Sequence, residues 1–372
     1  MKKGLYIHIP FCIKKCRYCA FNSYENMYDY AKKYIDALIK HIKSFKSEKI
    51  DTIYIGGGTP SSIDKELISM LMKSVYEHFD VLDESEITIE ANPKTLDEEK
   101  IEAYLKAGIN RISIGSQSFS DDELKILGRI HTSNDIENAV KMARCGGFKN
   151  INLDIIYALF NQSEDSLKET IDKTLSLSPT HISCYGLMIE EGTTLFDDVK
   201  KGKYVPLKDE AYAKMYETIC DTLKKYGFLH YEISNFAKEE KYKSRHNLKY
   251  WKGKEYFGIG AGASGYLNSQ RYTNCDDILG YINDFSQKHD VENLTLNDKM
   301  SEYMILNLRL LDEGVDILEF KKFFDKDIFD VFGDKLKYHL EKTKMLTKKE
   351  NKIVLSKEAY YVSNAVLCDF MI

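Results

Sequence analysis

Short β-branched runs, each followed by an amphipathic stretch, recur six times in the first 225 residues, and this recurrence constrains the fold more than any other feature. The runs are LYIHI (5–9), TIYIG (52–56), EITIEA (86–91), RISIGS (111–116), INLDII (151–156) and HISCYGL (181–187). The helices predicted after them span 28–45, 63–79, 96–106, 121–127 with 134–145, 164–175 and 209–225. Strands that alternate with helices predict βαβ units and a parallel sheet. Six units rather than eight predict an α/β fold with an incomplete (β/α)6 barrel.

The polar residues of these units concentrate where the strands end. Cysteines follow the first strand and GGGTP (56–60) follows the second, while Glu90 ends the third, Gln117 follows the fourth and Asp154 lies late in the fifth. In parallel α/β folds the chemistry gathers beyond the carboxyl ends of the strands. We therefore expect one site that is built from these loops.

The strand–helix rhythm stops after residue 240. Residues 241–296 include HNLKYWKGKEYFGIGAGASGYLN (246–268), which predicts a Gly- and aromatic-rich connecting segment. From about residue 297 the pattern is of short helices, followed by MLTKKENKIVLS (345–356), which is typical of a strand–turn–strand wing, and by a final helix from about residue 359. The predicted domains are thus 1–240, the connection 241–296 and a small C-terminal winged-helix-like domain over 297–372.

Charge and hydropathy disfavour two classes of function. The net charge of −5 does not favour nucleic-acid binding as the main role. No apolar run approaches the length that spans a bilayer. The eight cysteines form one cluster and five single residues, which is unlike a disulfide framework and fits a reducing compartment. We expect a cytoplasmic protein with no transmembrane segment and no nucleic-acid partner.

The cluster PFCIKKCRYCAFN (10–22) places Cys12, Cys16 and Cys19 after the first strand with the spacing C-x3-C-x2-C. Structural zinc sites have four ligands, usually in two pairs, and here the near candidate for a fourth ligand is His8, which lies in the strand itself. Iron–sulfur clusters are held by thiolates, usually four. Three thiolates on a [4Fe–4S] cluster would leave one iron open to bind another group, so the pattern favours iron–sulfur over zinc.

In the loop after the first strand of such a barrel, this spacing resembles the signature of the radical SAM superfamily. The chain is further similar to oxygen-independent coproporphyrinogen III oxidase and its relatives, the HemW-type haem chaperones, through GGGTP, EANP, SIGSQSF, LGRIHT, NLDIIY, YEISNFA, RHNLKYW and GIGAGA. The resemblance implies a radical-SAM barrel in which Cys12, Cys16 and Cys19 bind a [4Fe–4S] cluster. It implies that the amino and carboxylate groups of S-adenosylmethionine chelate the open iron, and that reduction of the sulfonium gives methionine and a 5′-deoxyadenosyl radical.

The resemblance also implies which residues border S-adenosylmethionine. The matching positions are Tyr6, Tyr18, Gly57, Gly58, Thr59, Glu90, Gln117, Arg129 and Asp154, with Met188 and Ser264 in a looser alignment. Each residue type suits this ligand. Glycines permit close backbone approach, a carboxylate accepts from ribose hydroxyls, and an arginine can fork onto the methionyl carboxylate.

Two features separate the branches of the family. The oxidase resembles C-x3-C-x2-C-x-C, whereas this chain has Phe21 at the last position, as in the chaperone pattern. Eleven residues precede Cys12, whereas the oxidase carries a substantial N-terminal extension. The resemblance therefore implies a haem chaperone. Decarboxylation of coproporphyrinogen III, or radical modification of another tetrapyrrole, is the alternative, and nucleic-acid binding through the wing is a third hypothesis that rests on fold analogy.

In the chaperone branch, haem binding is associated with the segment HNxxYW, which predicts His246 as the haem iron ligand here. Haem would be cargo, the partners would be haem-accepting respiratory proteins, and peripheral membrane contact would follow without an anchor. The chain departs from the family pattern twice. It reads GAGASG (260–265) for GAGAHS, with Ser264 in place of histidine, and YALFNQS (157–163) for YGLPGQT beside Asp154.

Overall fold

The six predicted strands and the helices after them are all present in the structure, a computed structural model that describes residues 2–372. The strands are β1 (Lys3–Ile9), β2 (Lys49–Gly57), β3 (Asp80–Ala91), β4 (Arg111–Gln117), β5 (Asn150–Tyr157), β6 (His181–Gly186), β7 (Leu229–Glu232), β8 (Asn235–Ala237), β9 (Tyr256–Ile259), β10 (Ser264–Leu267), β11 (Gln270–Asn274), β12 (Lys288–Asn293), β13 (Val315–Asp316), β14 (Leu346–Lys349) and β15 (Lys352–Leu355). The α-helices are α1 (Ala31–Ser44), α2 (Lys65–His78), α3 (Glu98–Lys106), α4 (Asp121–Leu127), α5 (Ser133–Gly146), α6 (Glu164–Ser176), α7 (Thr194–Lys200), α8 (Asp209–Lys225), α9 (Arg245–Trp251), α10 (Ile278–Asn283), α11 (Leu296–Asn307), α12 (Ile317–Phe324), α13 (Ile328–Lys337) and α14 (Ser363–Cys368).

Side chains alternate along most of β1 to β6, because successive residues of a strand point to opposite faces of the sheet. The apolar set packs into buried cores with the helices and comprises Leu5, Ile7, Ile9, Ile53, Ile55, Ile87, Ile89, Ile112, Ile114, Ile151, Leu153, Ile155 and Ile182. The other face is polar and carries Tyr6, His8, Thr52, Tyr54, Glu86, Thr88, Glu90, Arg111, Ser113, Asn152, Asp154, His181 and Ser183. We call it the polar face. Many of its residues are buried, so they must pair with one another.

The large sheet has twelve strands in the order β12-β11-β10-β9-β1-β2-β3-β4-β5-β6-β8-β7. The row from β9 through β6 is parallel, whereas β10 to β12 at one end and β7 and β8 at the other are antiparallel. The prediction of a mere connection over 241–296 is therefore incomplete, since this segment adds β9 to β12 to the sheet. Gly258 shows why the glycine-rich pattern wrongly indicated a connecting loop. A Cβ there would lie 1.9 Å from the carbonyl oxygen of Ser264, so this glycine serves strand packing rather than a loop.

The C-terminal residues form a second core around α11 to α14 and a three-stranded sheet of order β13-β15-β14. Residues 345–356, predicted as strand–turn–strand, form the antiparallel hairpin of β14 and β15. The backbone joins this part to the large sheet, because the amide of Leu311 donates to the carbonyl of Tyr231 at 3.1 Å. Across residues 2–372, no helix is both long enough and apolar enough to cross a membrane.

Tyr34 on α1 fastens the first strand to the loop after β9. Its hydroxyl donates to the carbonyl of His8 at 2.9 Å and accepts from the amide of Ala261 at 2.8 Å, and the side chain is fully buried. Both partners lie next to the site described below. The Tyr34 hydroxyl therefore helps to position that site.

We expect Tyr34→Phe to lower the free energy of unfolding by about 1–3 kcal/mol, because it leaves the buried amide of Ala261 without an acceptor. Urea denaturation measures the change. Tyr226→Phe is the matched control, since Tyr226 is half exposed. Equal midpoints for the two variants would contradict the fastening role.

Candidate functional site

A cavity of about 510 Å³ lies at the carboxyl ends of the parallel strands. Of the fifteen residues proposed from sequence, these eleven line it: Cys12, Cys16, Tyr18, Cys19, Gly57, Gly58, Thr59, Glu90, Gln117, Arg129 and Asp154. Met188 also lines the cavity. Tyr6, Ser264 and His246 do not. The loops at the strand ends thus converge on one site, as their positions in the sequence indicate.

The cysteine loop after β1 is held by one backbone bond at its start and by a turn within it. The amide of Cys12 donates to the carbonyl of Tyr24 at 3.0 Å, and the amide of Cys19 donates to the carbonyl of Cys16 at 3.1 Å. Burial raises the pKa of the Cys12 and Cys19 thiols. Within residues 2–372, no three His, Cys, Asp or Glu side chains converge on a point where they could hold one ion. A [4Fe–4S] cluster does not require such convergence, since each thiolate binds a different iron.

The GGGTP loop after β2 lies directly against the cysteine loop. The amide of Gly58 donates to the carbonyl of Ile9 at 2.9 Å, and the amide of Thr59 donates to the carbonyl of Phe11 at 2.8 Å. Gly57 has φ +114°, and a Cβ there would lie 2.4 Å from the His8 ring. Glycine is therefore required by both the backbone conformation and the approach to His8. The Thr59 hydroxyl lies 3.6 Å from Cys12 Sγ.

Arg129 connects the cysteine loop to the end of β4. One guanidinium nitrogen, Nη1, donates to Cys16 Sγ at 3.2 Å, and Nη2 donates to the carbonyl of Gly115 at 2.7 Å. Its Nε is buried and has no hydrogen-bond partner among residues 2–372. A buried donor that lacks an acceptor in a cavity wall is a feature that a bound ligand can satisfy.

Glu90 is the carboxylate nearest the GGGTP loop. Tyr54 donates to its Oε1 at 2.7 Å, and the amide of Gly57 donates to its Oε2 at 3.0 Å. Burial raises the Glu90 pKa to about 7, and repulsion from Asp154 adds to the rise. Attraction to the buried Arg111 opposes it. Glu90 therefore changes charge near neutral pH.

Asp154 begins a chain of hydrogen bonds that crosses the polar face. Asn152 Nδ2 donates to Asp154 Oδ1 at 2.8 Å, and His181 Nδ1 donates to Asn152 Oδ1 at 2.6 Å. The Tyr231 hydroxyl then donates to His181 Nε2 at 2.8 Å and accepts from the amide of Ser244 at 3.1 Å. Burial raises the pKa of Asp154 and lowers that of His181. The chain links the cavity to the start of α9.

Tyr6 lies behind the cavity wall rather than in it. Its hydroxyl donates to His8 Nδ1 at 2.8 Å, and its ring stacks on Tyr54. His8 Nε2 in turn donates to the carbonyl of Asn22 at 2.7 Å, which fixes the tautomer. Burial lowers the pKa of His8, so both its nitrogens are committed to neutral hydrogen bonds. His8 thereby supports the cysteine loop from below.

His246 lies at the opposite, amino-terminal ends of the strands. It is fully buried, its Nδ1 lies 3.0 Å from the Thr52 hydroxyl, and its Nε2 lies 2.8 Å from the Tyr250 hydroxyl. Burial lowers the His246 pKa to about 3. In this conformation neither ring nitrogen is free to bind iron. The predicted ligand helps α9 cover the polar face.

The two departures from the family pattern have different outcomes. Ser264 is exposed on β10 and meets Thr273, so it lies outside the cavity. Ala158 (φ +59°) and Asn161 (φ +58°) both have left-handed backbone, and the family pattern has glycine at each. The loop after β5 therefore keeps a conformation that suits glycine, although these residues adopt it at a cost in strain. Gln117 at the end of β4 is also left-handed, with φ +68°.

Several residues that shape the site were not predicted from the sequence. Tyr54 orients Glu90, Asn152 orients Asp154, and Asn22 donates to the carbonyls of Ala261 and Asp276 at 3.2 and 2.9 Å. The signal for Tyr54 and Asn152 was present in the sequence, because each lies two residues from another polar-face residue of its strand. Asn22 follows the cysteines without any such periodicity.

Comparisons with known proteins identify relatives of this chain. The family model of the radical SAM superfamily matches residues 6–174, and that of the HemN C-terminal domain matches residues 294–362. The chain is 35% identical to the heme chaperone HemW of Lactococcus lactis over 99% of this chain and 97% of the relative. It is also 35% identical to heme chaperone HemW of Bacillus subtilis, over 99% of both. The chain belongs to the HemW family of the radical SAM superfamily.

The fold of this HemW-family chain also matches a solved structure. Coproporphyrinogen III oxidase (HemN) from Escherichia coli, a radical SAM enzyme by its description, superposes with a TM-score of 0.86 at 22% identity. The match covers 100% of this chain and 90% of that one. It establishes the fold, an α/β radical SAM architecture with a mixed sheet and a C-terminal HemN-type domain.

Membership of the superfamily implies a [4Fe–4S] cluster and S-adenosylmethionine, and the cavity of this HemW-family chain fits both groups. Three soft thiols lie on one wall, as iron–sulfur chemistry requires. The unpartnered Arg129 Nε and the Glu90 carboxylate offer a donor and an acceptor for a zwitterionic ligand. A Cβ at Gly58 would lie 2.8 Å from the carbonyl oxygen of Phe11, so the loop leaves no room for a larger residue.

We expect Cys12→Ala, Cys16→Ala and Cys19→Ala each to abolish the visible absorbance of the anaerobically reconstituted protein, because each would remove one of the three iron ligands that the resemblance implies. Iron analysis measures the loss directly. Cys145→Ala, at an exposed position on α5, serves as the control and should keep full iron content. Retention of iron by a triple variant would contradict the assignment.

A second prediction concerns pH and Glu90. The unfolded chain loses this proton near pH 4.5, whereas the folded chain holds it until about pH 7. The folded state therefore binds the extra proton between these values, and the free energy of unfolding falls by roughly 3 kcal/mol as pH rises through them. Glu90→Gln should remove this loss, so its stability advantage over the wild type should grow from pH 4.5 to 7.5. Parallel urea-midpoint profiles would be inconsistent with the raised pKa.

Proposed function

We propose that the protein binds a [4Fe–4S] cluster through Cys12, Cys16 and Cys19, binds S-adenosylmethionine in the adjoining cavity, and acts as a haem chaperone that passes haem to haem-dependent respiratory proteins. One observation carries the cofactor part. A single cavity joins the three thiols to a wall of polar side chains of the types that S-adenosylmethionine requires, and this wall includes Glu90, Gln117, Arg129 and Asp154. Similarity to heme chaperones over nearly the whole chain supports the haem part.

Each residue that the resemblance assigns to the site has a role in this proposal. When bound, the reduced cluster supplies the single electron with which radical SAM chemistry begins. The thiols would hold three irons of the cluster, and Tyr18 would lie beside it. Gly57, Gly58 and Thr59 offer backbone at close range to the methionyl amino group. Arg129 meets the methionyl carboxylate.

The remaining residues would contact the ribose of S-adenosylmethionine. Glu90 and Asp154 accept from the ribose hydroxyls, and the amide of Gln117 completes this wall. Tyr6 orients His8 behind the cavity. Together these side chains fix the position of the ligand and exclude water from it.

We further propose that the six parallel β/α units form an incomplete (β/α)6 barrel within residues 1–240. The ends of the sheet, β12 and β7, are not paired with each other, which supports an open barrel. Residues 241–296 extend this sheet, and residues 297–372 form a winged-helix-like domain. A hairpin beside short helices supports the wing.

Haem ligation by His246 requires α9 to move. Both ring nitrogens are hydrogen-bonded now, so iron must replace the hydroxyl of Tyr250 or that of Thr52. Eight of the nine histidines are likewise buried or half-buried and hydrogen-bonded, and the exposed one is His289, which pairs with Asp276 and Asp290. His246 therefore becomes available only in a second conformation, which fits a protein that takes up and releases its cargo.

The partners and the compartment follow from the same proposal. Eight free cysteines suit a reducing compartment, which we take to be the cytoplasm. Haem-accepting proteins are the protein partners, and contact with a membrane would be peripheral. This function involves no nucleic-acid partner.

A second candidate is radical chemistry on a tetrapyrrole, including decarboxylation of coproporphyrinogen III. The overall likeness to HemN in fold and the complete polar wall of the cavity favour it. An anaerobic turnover assay with reductant, S-adenosylmethionine and coproporphyrinogen III separates the two functions. The chaperone proposal predicts no decarboxylated product by mass spectrometry. Product formed in step with 5′-deoxyadenosine would make the protein an oxidase.

We expect the wild type to bind haem saturably at one site, and His246→Gln to weaken this binding at least tenfold. His289→Gln is the control and should bind as the wild type does. Tyr250→Phe frees His246 Nε2 from its partner, so it should strengthen haem binding. Absorbance titration measures all three, and urea midpoints establish that the variants are folded. A folded His246→Gln variant with wild-type affinity and spectrum would remove His246 from the site.

A further inference from the structure

Arg17 lies between two of the three cluster cysteines and binds two other elements through its backbone. Its amide donates to the carbonyl of Leu127, the last residue of α4, at 3.0 Å. Its carbonyl accepts from the amide of Leu195, in the first turn of α7, at 2.8 Å. The cysteine loop is thus bonded to α4 on one side and to α7 on the other.

The side chain of Arg17 strengthens both connections. Nη1 donates to the carbonyl of Ile126 at 3.2 Å, and Nη2 forms an ion pair with Asp198 on α7. The two charged side chains are only 20% and 14% exposed. Ion pairs that are largely removed from water are costly to break from one side. Without Arg17, Asp198 would keep only its longer contact with the exposed Lys203, at 3.6 Å. A Cβ at Gly128 would lie 2.8 Å from Arg17 Cγ, so glycine is needed where α4 ends.

Two aromatic rings complete the contact and explain a departure from the family pattern. The Arg17 guanidinium lies over the ring of Tyr204 at 5.5 Å, and Tyr204 stacks on Phe160 with ring centroids 4.9 Å apart. Phe160 stands where the family pattern YGLPGQT has proline. The unusual loop YALFNQS therefore supplies a buried ring that holds Tyr204 against Arg17.

The segment around α7 that Arg17 contacts also lines the cavity. We define the α7 segment as residues 187–204. Leu187, Met188 and Glu190, at its start, line the cavity, and Met188 is 63% exposed at its mouth. Arg17 thus lies between a cluster ligand on one side and the mouth of the cavity on the other.

We propose that Arg17 is a positioning residue that couples the cysteine loop to the α7 segment, so that a bound cluster keeps the segment closed over the cavity and loss of the cluster releases it. Coupling of this kind is reciprocal. The cluster protects the segment from opening, and the closed segment slows the loss of iron. Access of a tetrapyrrole to the cavity then depends on the state of the cluster. This inference rests on the proposed cluster site.

Limited proteolysis of the full-length protein tests the first half of the coupling. The exposed Lys200, Lys201 and Lys203 are trypsin sites within the α7 segment. Wild-type protein without iron should be cut there roughly tenfold faster than the reconstituted protein, since a tenfold change corresponds to the loss of one strong charged hydrogen bond. Cleavage is followed by mass spectrometry under anaerobic conditions. Equal rates with and without iron would overturn the proposal.

Variants on α7 test the second half without touching the cysteine loop. Asp198→Asn removes the ion pair, and Asp197→Asn is the matched control on the same helix. We expect Asp198→Asn to release iron to a chelator roughly tenfold faster and to abolish the difference in trypsin cleavage. Asp197→Asn should behave as the wild type in both measurements. Wild-type iron release by Asp198→Asn would overturn the coupling.

Arg17→Gln should reproduce both effects, and Arg144→Gln is its control, because Arg144 also bonds backbone carbonyls but lies on α5. The double variant Arg17→Gln with Asp198→Asn should be no worse than either single variant, as expected for two ends of one interaction. Additive effects would contradict that interaction. Failure of the wild type to hold iron at all would instead refute the proposed function, so the two failures are distinguishable.

Discussion

The alternation of apolar and polar side chains along six parallel strands is the constraint on which the rest of this structure depends. Isoleucine and leucine on one face of the sheet pack against the helices. Tyrosine, histidine, serine and charged residues occupy the other face. A shift of one residue in any strand would exchange the two sets. The packing of the core therefore determines where the side chains of the site lie. The same register that buries Ile89 also brings Glu90 into the cavity.

A polar face that is largely buried is stable only if its groups satisfy one another. Asp154 shows how this is done, since Asn152, His181 and Tyr231 form a continuous chain of hydrogen bonds from the cavity to α9. Arg111 adds a buried positive charge that opposes the rise in pKa of both Glu90 and Asp154. The segment HNLKYW belongs to the same network. Its histidine is part of the structure that any cargo-dependent movement of α9 would have to break.

Much of this arrangement could be predicted from local pattern. The six strands, the helices after them and the C-terminal hairpin have clear periodicity, and the three cysteines have a diagnostic spacing. The strands β7 to β12 could not be predicted in the same way, because they are short and their pairing is decided by distant partners such as β1 and β6. The role of Arg17 could not be predicted from the sequence either. Nothing in the spacing of a lone arginine indicates that it meets Asp198, 181 positions away.

The central claim is that three thiolates hold a cluster whose fourth iron binds S-adenosylmethionine. The most direct test is the electron paramagnetic resonance spectrum of the reduced, reconstituted protein before and after S-adenosylmethionine is added. The account predicts that the spectrum changes and saturates at one equivalent per cluster, because the open iron gains ligands. A spectrum that is unchanged at saturating S-adenosylmethionine would contradict the account.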